Sequence, residues 1–270
     1  MHRFLALALV LAVTPLAGCG TGEPGSEAAG APEPRELARQ ALRAARAAGS
    51  VHYAFDATFA GEGSAPVELA FAGDIGRGRA QADVSVSGNG QSLAGTLLYD
   101  GAGFFVRYLG RWYGEAIPKG RAGELERELG SEEAFSGNFE ALFDGSVSAG
   151  PATDGVPTWA YHGRLDVDGL ASVAEAEGHP LNGEQRDQLE ELAEQARFTL
   201  LVGAQDMLPR ALKLDLSGDL ADLAGVGGPG GGSFSVTLSG SFSRWGEPVQ
   251  ITAPDSYAPL HELFGEFFPF

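Results

Sequence analysis

The sequence predicts an α+β fold: one strongly curved antiparallel β-sheet with helices packed on its apolar face. Three observations predict it. Apolar and polar residues alternate in about ten short segments, the period of half-buried strands. Helical periods occur in two groups, one ahead of the strands and one between them. After residue 34 no second stretch reads as an interdomain linker, so residues 35–270 form one domain.

The chain opens with Arg3, an apolar run from Phe4 to Val13, and then Leu16-Ala17-Gly18-Cys19. The run is too short to span a bilayer as a finished helix, and its flanks are those of an export signal. Leu-Ala-Gly-Cys resembles the lipobox of bacterial lipoproteins. That resemblance implies that residues 1–18 are a signal peptide and that Cys19 is the lipid-attachment residue. A diacylglycerol carries two acyl chains, each buried methylene contributing about 0.8 kcal/mol, which suffices for stable anchoring. Residues 19–34 follow as a tether of Gly, Pro, Ala and Glu without a large apolar side chain, a composition that cannot build a core. As a coil it holds its ends roughly 20 Å apart.

Arg35 to Ala48 reads as a helix, with Pro34 before it, Glu36 in its first turn, arginines later and Gly49 to end it. Its apolar face of Leu37, Ala41, Leu42, Ala45 and Ala48 is narrow and built mostly of alanine. Strands follow at Val51–Phe59, Val67–Phe71, Ala82–Val86, Leu93–Tyr99, Phe104–Tyr108 and from Trp112, with Asp100-Gly101 as a hairpin turn. Gly123 to Phe143 carries helical spacing interrupted by Gly130 and Gly137, which predicts two short helices. Thr158–Asp166 is a strand, and Asp168 is expected to cap a short helix ended by Gly178. Asn182 with Gln185 looks like a capping box opening a helix to Ala196. Strands return at Phe198–Val202, Arg210–Leu216, Phe234–Phe242 and Val249–Ile251. The glycine-rich stretch from Gly225 to Gly232 reads as a loop tip.

The formal net charge of -18 makes nucleic acid a poor partner, because phosphodiester backbones repel an acidic surface. The five histidines show no HExxH spacing, and Cys19 is the only cysteine, so no metal or cofactor is expected. There is no Gly-x-Ser-x-Gly elbow. Gly225, Gly227 and Gly230 match Gly-x-Gly-x-x-Gly only inside a glycine tract. The expectation is a protein that is not an enzyme.

Several segments carry a wider resemblance. They are Ser50 to Phe55 after the first helix, Tyr99-Asp100-Gly101, Phe104-Phe105-Val106, Gly110-Arg111-Trp112-Tyr113, Val156 to Tyr161, Leu208-Pro209-Arg210, and Ser243 to Pro254 as a closing strand. In this order they resemble the lipid-binding lipoproteins related to LppX and LprG, whose fold is shared with the LolA and LolB carriers. The resemblance implies an open half-barrel wrapped around helices, with an apolar cavity for acyl chains between sheet and helices. The residues expected to line it are Tyr53, Phe55, Phe59, Leu69, Phe71, Val84, Leu97, Phe104, Val106, Trp159, Tyr161, Leu200, Leu214 and Val236.

The function this implies is a monomeric envelope lipoprotein on the extracytoplasmic face of the cell membrane. It would bind and carry lipid or glycolipid, with an envelope transporter as a candidate loading partner. Two alternatives stand beside it. One is a non-catalytic interaction module with a closed core, and the other is a lipid-acting hydrolase.

Overall fold

The computed structural model describes residues 30–76, 78–117, 143–176, 182–219 and 233–267. The signal segment, Cys19, most of the tether, the helices expected between Gly123 and Leu142, and the glycine tract lie outside them. Twelve strands form one sheet: β1 (Ser50–Gly61), β2 (Val67–Gly76), β3 (Arg79–Gly88), β4 (Gln91–Tyr99), β5 (Gly103–Tyr108), β6 (Arg111–Ala116), β7 (Phe143–Thr153), β8 (Val156–Leu165), β9 (Arg197–Gly203), β10 (Pro209–Asp219), β11 (Ser233–Ser243) and β12 (Ala258–Pro259). The helices are α1 (Pro34–Ala48), α2 (Val167–Ala176), α3 (Gly183–Gln195) and α4 (Leu260–Phe267).

The strand order is β12-β6-β5-β4-β3-β2-β1-β11-β10-β9-β8-β7. Two antiparallel meanders, β1 to β6 and β7 to β11, are joined by the β1–β11 pair; only β12 lies parallel to its neighbour, β6. The sheet is open, with β12 and β7 at its edges. Helix α1 is in contact with both β1 and β7 and so bridges the two ends of the run β1-β11-β10-β9-β8-β7.

Local chemistry explains the elements. Pro34 stands at the start of α1, and Glu36 is bonded to Gln40 and Arg39. The bond from Gln40, then the charges of Arg39 and Arg43, hold the Glu36 carboxyl below its ordinary range. Gly49 closes the helix in the left-handed conformation, its N–H donating to the Arg46 carbonyl. In the β4–β5 hairpin, the Asp100 carboxylate accepts from the N–H groups of Ala102 and Gly103, at 2.9 and 2.7 Å, as a turn aspartate does.

Four features depart from the sequence reading. Strand β7 was not expected: Ser146, Ser148, Gly150 and Pro151 dilute its alternation, and Val147 is its one large apolar residue among those with a described side chain. Helix α2 is capped by Asp166, which accepts from the Gly169 N–H at 3.0 Å, whereas Asp168 pairs with Arg186. Helix α4 carries no strong start signal and escaped the reading. Val249–Ile251 is no strand, because the Ile251 carbonyl accepts from the Arg79 guanidinium and the segment lies across the sheet, where Ile251 packs with Leu98 and Phe105.

Candidate functional site

Residues directly opposite in an antiparallel pair share a face. The register therefore carries one row across the sheet: Gly95, Val84, Phe71, Phe55, Gly240, Leu212, Leu200, Tyr161 and Val147, from β4 through to β7. The next row on one side holds Val106, Leu97, Ala82, Gly73, Tyr53 and Phe242. On the other side run Leu93, Val86, Leu69, Ala57, Leu238, Leu214 and Phe198, and beyond them Val67, Phe59, Val236 and Leu216. Phe104 continues through Tyr99, Ala80 and Ile75 to Val51, and Trp159 pairs with Val202. All fourteen residues expected to line a cavity thus fall on a single apolar face. The reason is that period two was read correctly in every strand involved.

Coverage of that face is uneven. Tyr53, Phe55, Tyr161 and Leu200 are buried in one cluster with Leu37 and Ala41 of α1 and with Val202, Leu212 and Phe242. Here the face is a closed core. Leu69, Phe71, Val84, Leu97, Phe104, Val106, Trp159, Leu214 and Val236 are only half-buried, and Phe59 is exposed. Alanines at 38 and 41 let α1 lie close to the strands it covers. The division is aromatic at its centre: Phe55 stacks on Phe71 at 5.1 Å and meets Phe242 edge-on at 5.4 Å. Tyr53, edge-on to Phe71, adds a hydroxyl to this aromatic group. Burial, then the Asp74 charge, push its pKa up to about 12, so no charge appears there at neutral pH.

The opposite face is polar apart from the buried cluster of Leu98, Phe105 and Ile251, and it carries three further features. A groove of about 800 Å³ runs over β1 to β5, floored by Ala54, Ala70, Ala72 and Ala94, with Asp83, Thr96 and Arg107 along it. Thr96 donates to Asp83 at 2.7 Å. The expected cavity was placed on the apolar face, whereas this groove lies behind it. His52 Nδ1 stands 3.0 Å from Asp74, which also faces Arg244 at 3.4 Å.

His162 lies between Ser148, 3.1 Å from Nε2, and Thr199, 3.2 Å from Nδ1. A hydroxyl rather than a carboxylate stands behind this imidazole, so the group that orients the base in a hydrolase triad is not supplied. Among the described residues no group of three His, Cys, Asp or Glu could hold a metal ion. His162 stands on the polar side of β8, but its ring is half-buried.

Burial holds the His162 imidazole below its ordinary range. The unfolded chain regains a value near 6.5 and binds more protons in the interval between the two values. Stability from this group is therefore complete above about pH 6.5 and is lost as pH falls through that interval. In His162→Asn, urea midpoints should fall less between about pH 7 and 5 than in the parent. Identical pH slopes would remove His162 from the acid response.

Comparison with solved structures gives several likenesses. The crystal structure of LprF from Mycobacterium bovis aligns over 83% of this chain and 98% of that one, at 16% identity and a TM-score of 0.48. The overlap is partial, and the fold described above rests on this chain's own strand register. MucB in complex with MucA(peri) covers 82% of the chain at 10% identity, with a TM-score of 0.11. No protein-family profile and no curated protein matches.

Proposed function

We propose that this chain is a membrane-anchored envelope lipoprotein that holds the acyl chains of a lipid or glycolipid on the open half of its apolar face. One observation carries the reading: an unbroken apolar row crosses the sheet, yet the buried core beside α1 draws only on β1 and β7 to β11, and even there Phe59 is exposed and Trp159, Leu214 and Val236 are half-buried. The half from β2 to β5 keeps Phe71, Val84, Leu97 and Val106 partly open. Water there leaves large apolar side chains wet, whereas acyl chains suit it.

The exchange this implies is physical. An acyl chain moved from water to the face gains about 0.8 kcal/mol per methylene. A chain moved from a bilayer gains almost nothing by that route, since it starts in hydrocarbon. Uptake is then near balance and reversible, as a carrier requires, and proximity to the bilayer matters more than affinity. The lipobox supplies that proximity. The attachment is assigned to acylated Cys19 on the lipobox resemblance; no helix among the described residues is long and apolar enough to cross a membrane.

The anchor has its own test. Cys19→Ser should move the protein from the membrane pellet to the soluble fraction, and continued sedimentation with membranes would refute acylation at that residue. The ligand is tested by native mass spectrometry of the purified chain. Bound acyl lipid, released on partial unfolding, is the expected result, and a chain at its own mass under gentle conditions refutes the carrier reading.

A further inference from the structure

Six large apolar side chains are exposed among the described residues, and five gather at one end of the sheet: Phe59, Val67, Val86, Leu93 and Leu109. Phe59 faces Val67 across β1–β2, and Val86 faces Leu93 across β3–β4. Each pair stands beside the turn that closes its hairpin. Leu109 sits in the third turn at the same end, between β5 and β6.

Leu109 is the informative residue. The turns Asn89-Gly90, Asp154-Gly155 and Leu109-Gly110 all have two successive positive φ angles, 54° and 75°, 51° and 77°, and 48° and 82°. That is the conformation of a type I′ hairpin turn, whose first position favours asparagine, aspartate or glycine. Two of the three obey. The third places leucine in the left-handed region, where a bulky side chain is disfavoured, and leaves it 83% exposed. Packing does not explain it, because the side chain touches water. Strain held at an exposed apolar tip points to a partner that receives it.

The tips are also nearly free of charge in a chain of net charge -18. The β3–β4 and β5–β6 turns carry none, and the carboxylate of Glu62 in the first accepts from the Ser233 N–H at 3.4 Å. We infer that this end of the sheet docks on a lipid bilayer, with Leu109 inserted among the acyl chains and the exposed rim of the apolar face set against the membrane. The inference rests on the proposed anchoring through Cys19. From Cys19 to Gly30 the chain reaches at most roughly 40 Å, about the length of β1, so the anchor can bring that end to its own bilayer. Lipid would then pass from bilayer to face along Phe59, Val67, Val86 and Leu93 without crossing water.

The test uses the full chain, acylated at Cys19 and reconstituted in phosphatidylcholine vesicles. Leu109→Cys supplies a free thiol for an environment-sensitive dye, and Ala102→Cys, in the exposed turn at the opposite end, is the control. The dye at 109 should shift to the blue and be quenched by brominated acyl chains, while the dye at 102 keeps its aqueous spectrum. Gln91→Cys, at the exposed start of β4 beside the neighbouring turn, should respond like 109 and covers the case in which the 109 variant does not fold. Aqueous spectra at both 109 and 91 would overturn the docking. So would a blue shift at 109 that appears without vesicles and grows with protein concentration, because a second copy then covers the tip. Bound lipid read separately by native mass spectrometry keeps the two ideas apart. Cargo without insertion removes the docking alone, and insertion without cargo removes the carrier reading alone.

Discussion

Phe55→Ala is expected to destabilise the fold by about 3–5 kcal/mol, the largest effect of any single truncation in the sheet. The ring is buried and makes contact in three directions, with Phe71, Phe242 and Tyr53. It also lies over Gly240, its register partner on β11, where an added Cβ would collide with the ring. A glycine has nothing to move into the space left by the ring, so the cavity persists and its penalty adds to the lost transfer energy. Against a total stability of about 5–15 kcal/mol, that is a large fraction. Urea unfolding at an unchanged slope reads it directly. Phe59→Ala, on the same strand and face but exposed, should fall within about 1 kcal/mol of the parent. Equal losses from the two substitutions would contradict the difference in burial between these two positions of β1.

The second large effect concerns ligand rather than stability. Leu97→Asp places a carboxylate on the open half of the apolar face, whereas Ala94→Asp places one on the groove side of the same strand. Shifting by an odd number of residues along a strand reverses the face, so the two variants differ in side and little else. A carboxylate facing acyl chains must be desolvated or neutralised, a penalty of several kcal/mol. Bound lipid should therefore fall by roughly a hundredfold or more in Leu97→Asp, since each 1.4 kcal/mol is tenfold. It should stay near the parent level in Ala94→Asp. Because Leu97 is only half-buried, the fold should tolerate the change, and a cooperative urea transition in both variants checks that. Equal lipid content in the two would mean that the apolar face is not where lipid sits.

The strands proved legible because a residue's face in a sheet depends only on parity. Each of the fourteen predicted lining residues came from a segment with at least two large apolar residues in alternation, and the register set all of them on one side. Coverage is a different kind of property. Nothing in Tyr53-Ala54-Phe55 says that α1 lies on those rings while Leu97 stays half-open, because that depends on which part of the sheet α1 comes to rest against. Strand β7 was hidden because Gly145, Gly150 and Pro151 lack the apolar signal. Gly145 stands under the Tyr161 ring, so the partner strand's aromatic fills the space where a side chain would have advertised the strand. Val249–Ile251 misled for the converse reason: its alternation is real, but the segment packs across the opposite face against Leu98 and Phe105 instead of pairing with a strand. The groove on the polar face could not be read at all. Its floor of alanines is the ordinary composition of a solvent-facing strand, and only the sheet's shape makes it concave.

The central claim is that the open half of the apolar face holds acyl chains. Native mass spectrometry of the full chain, purified from membranes in mild detergent, tests it most directly. The predicted spectrum shows the acylated protein carrying one or more further lipid masses that survive detergent removal and vanish in Leu97→Asp but persist in Ala94→Asp. A spectrum of acylated protein alone, with the open half filled by the chain's own side chains, would contradict it.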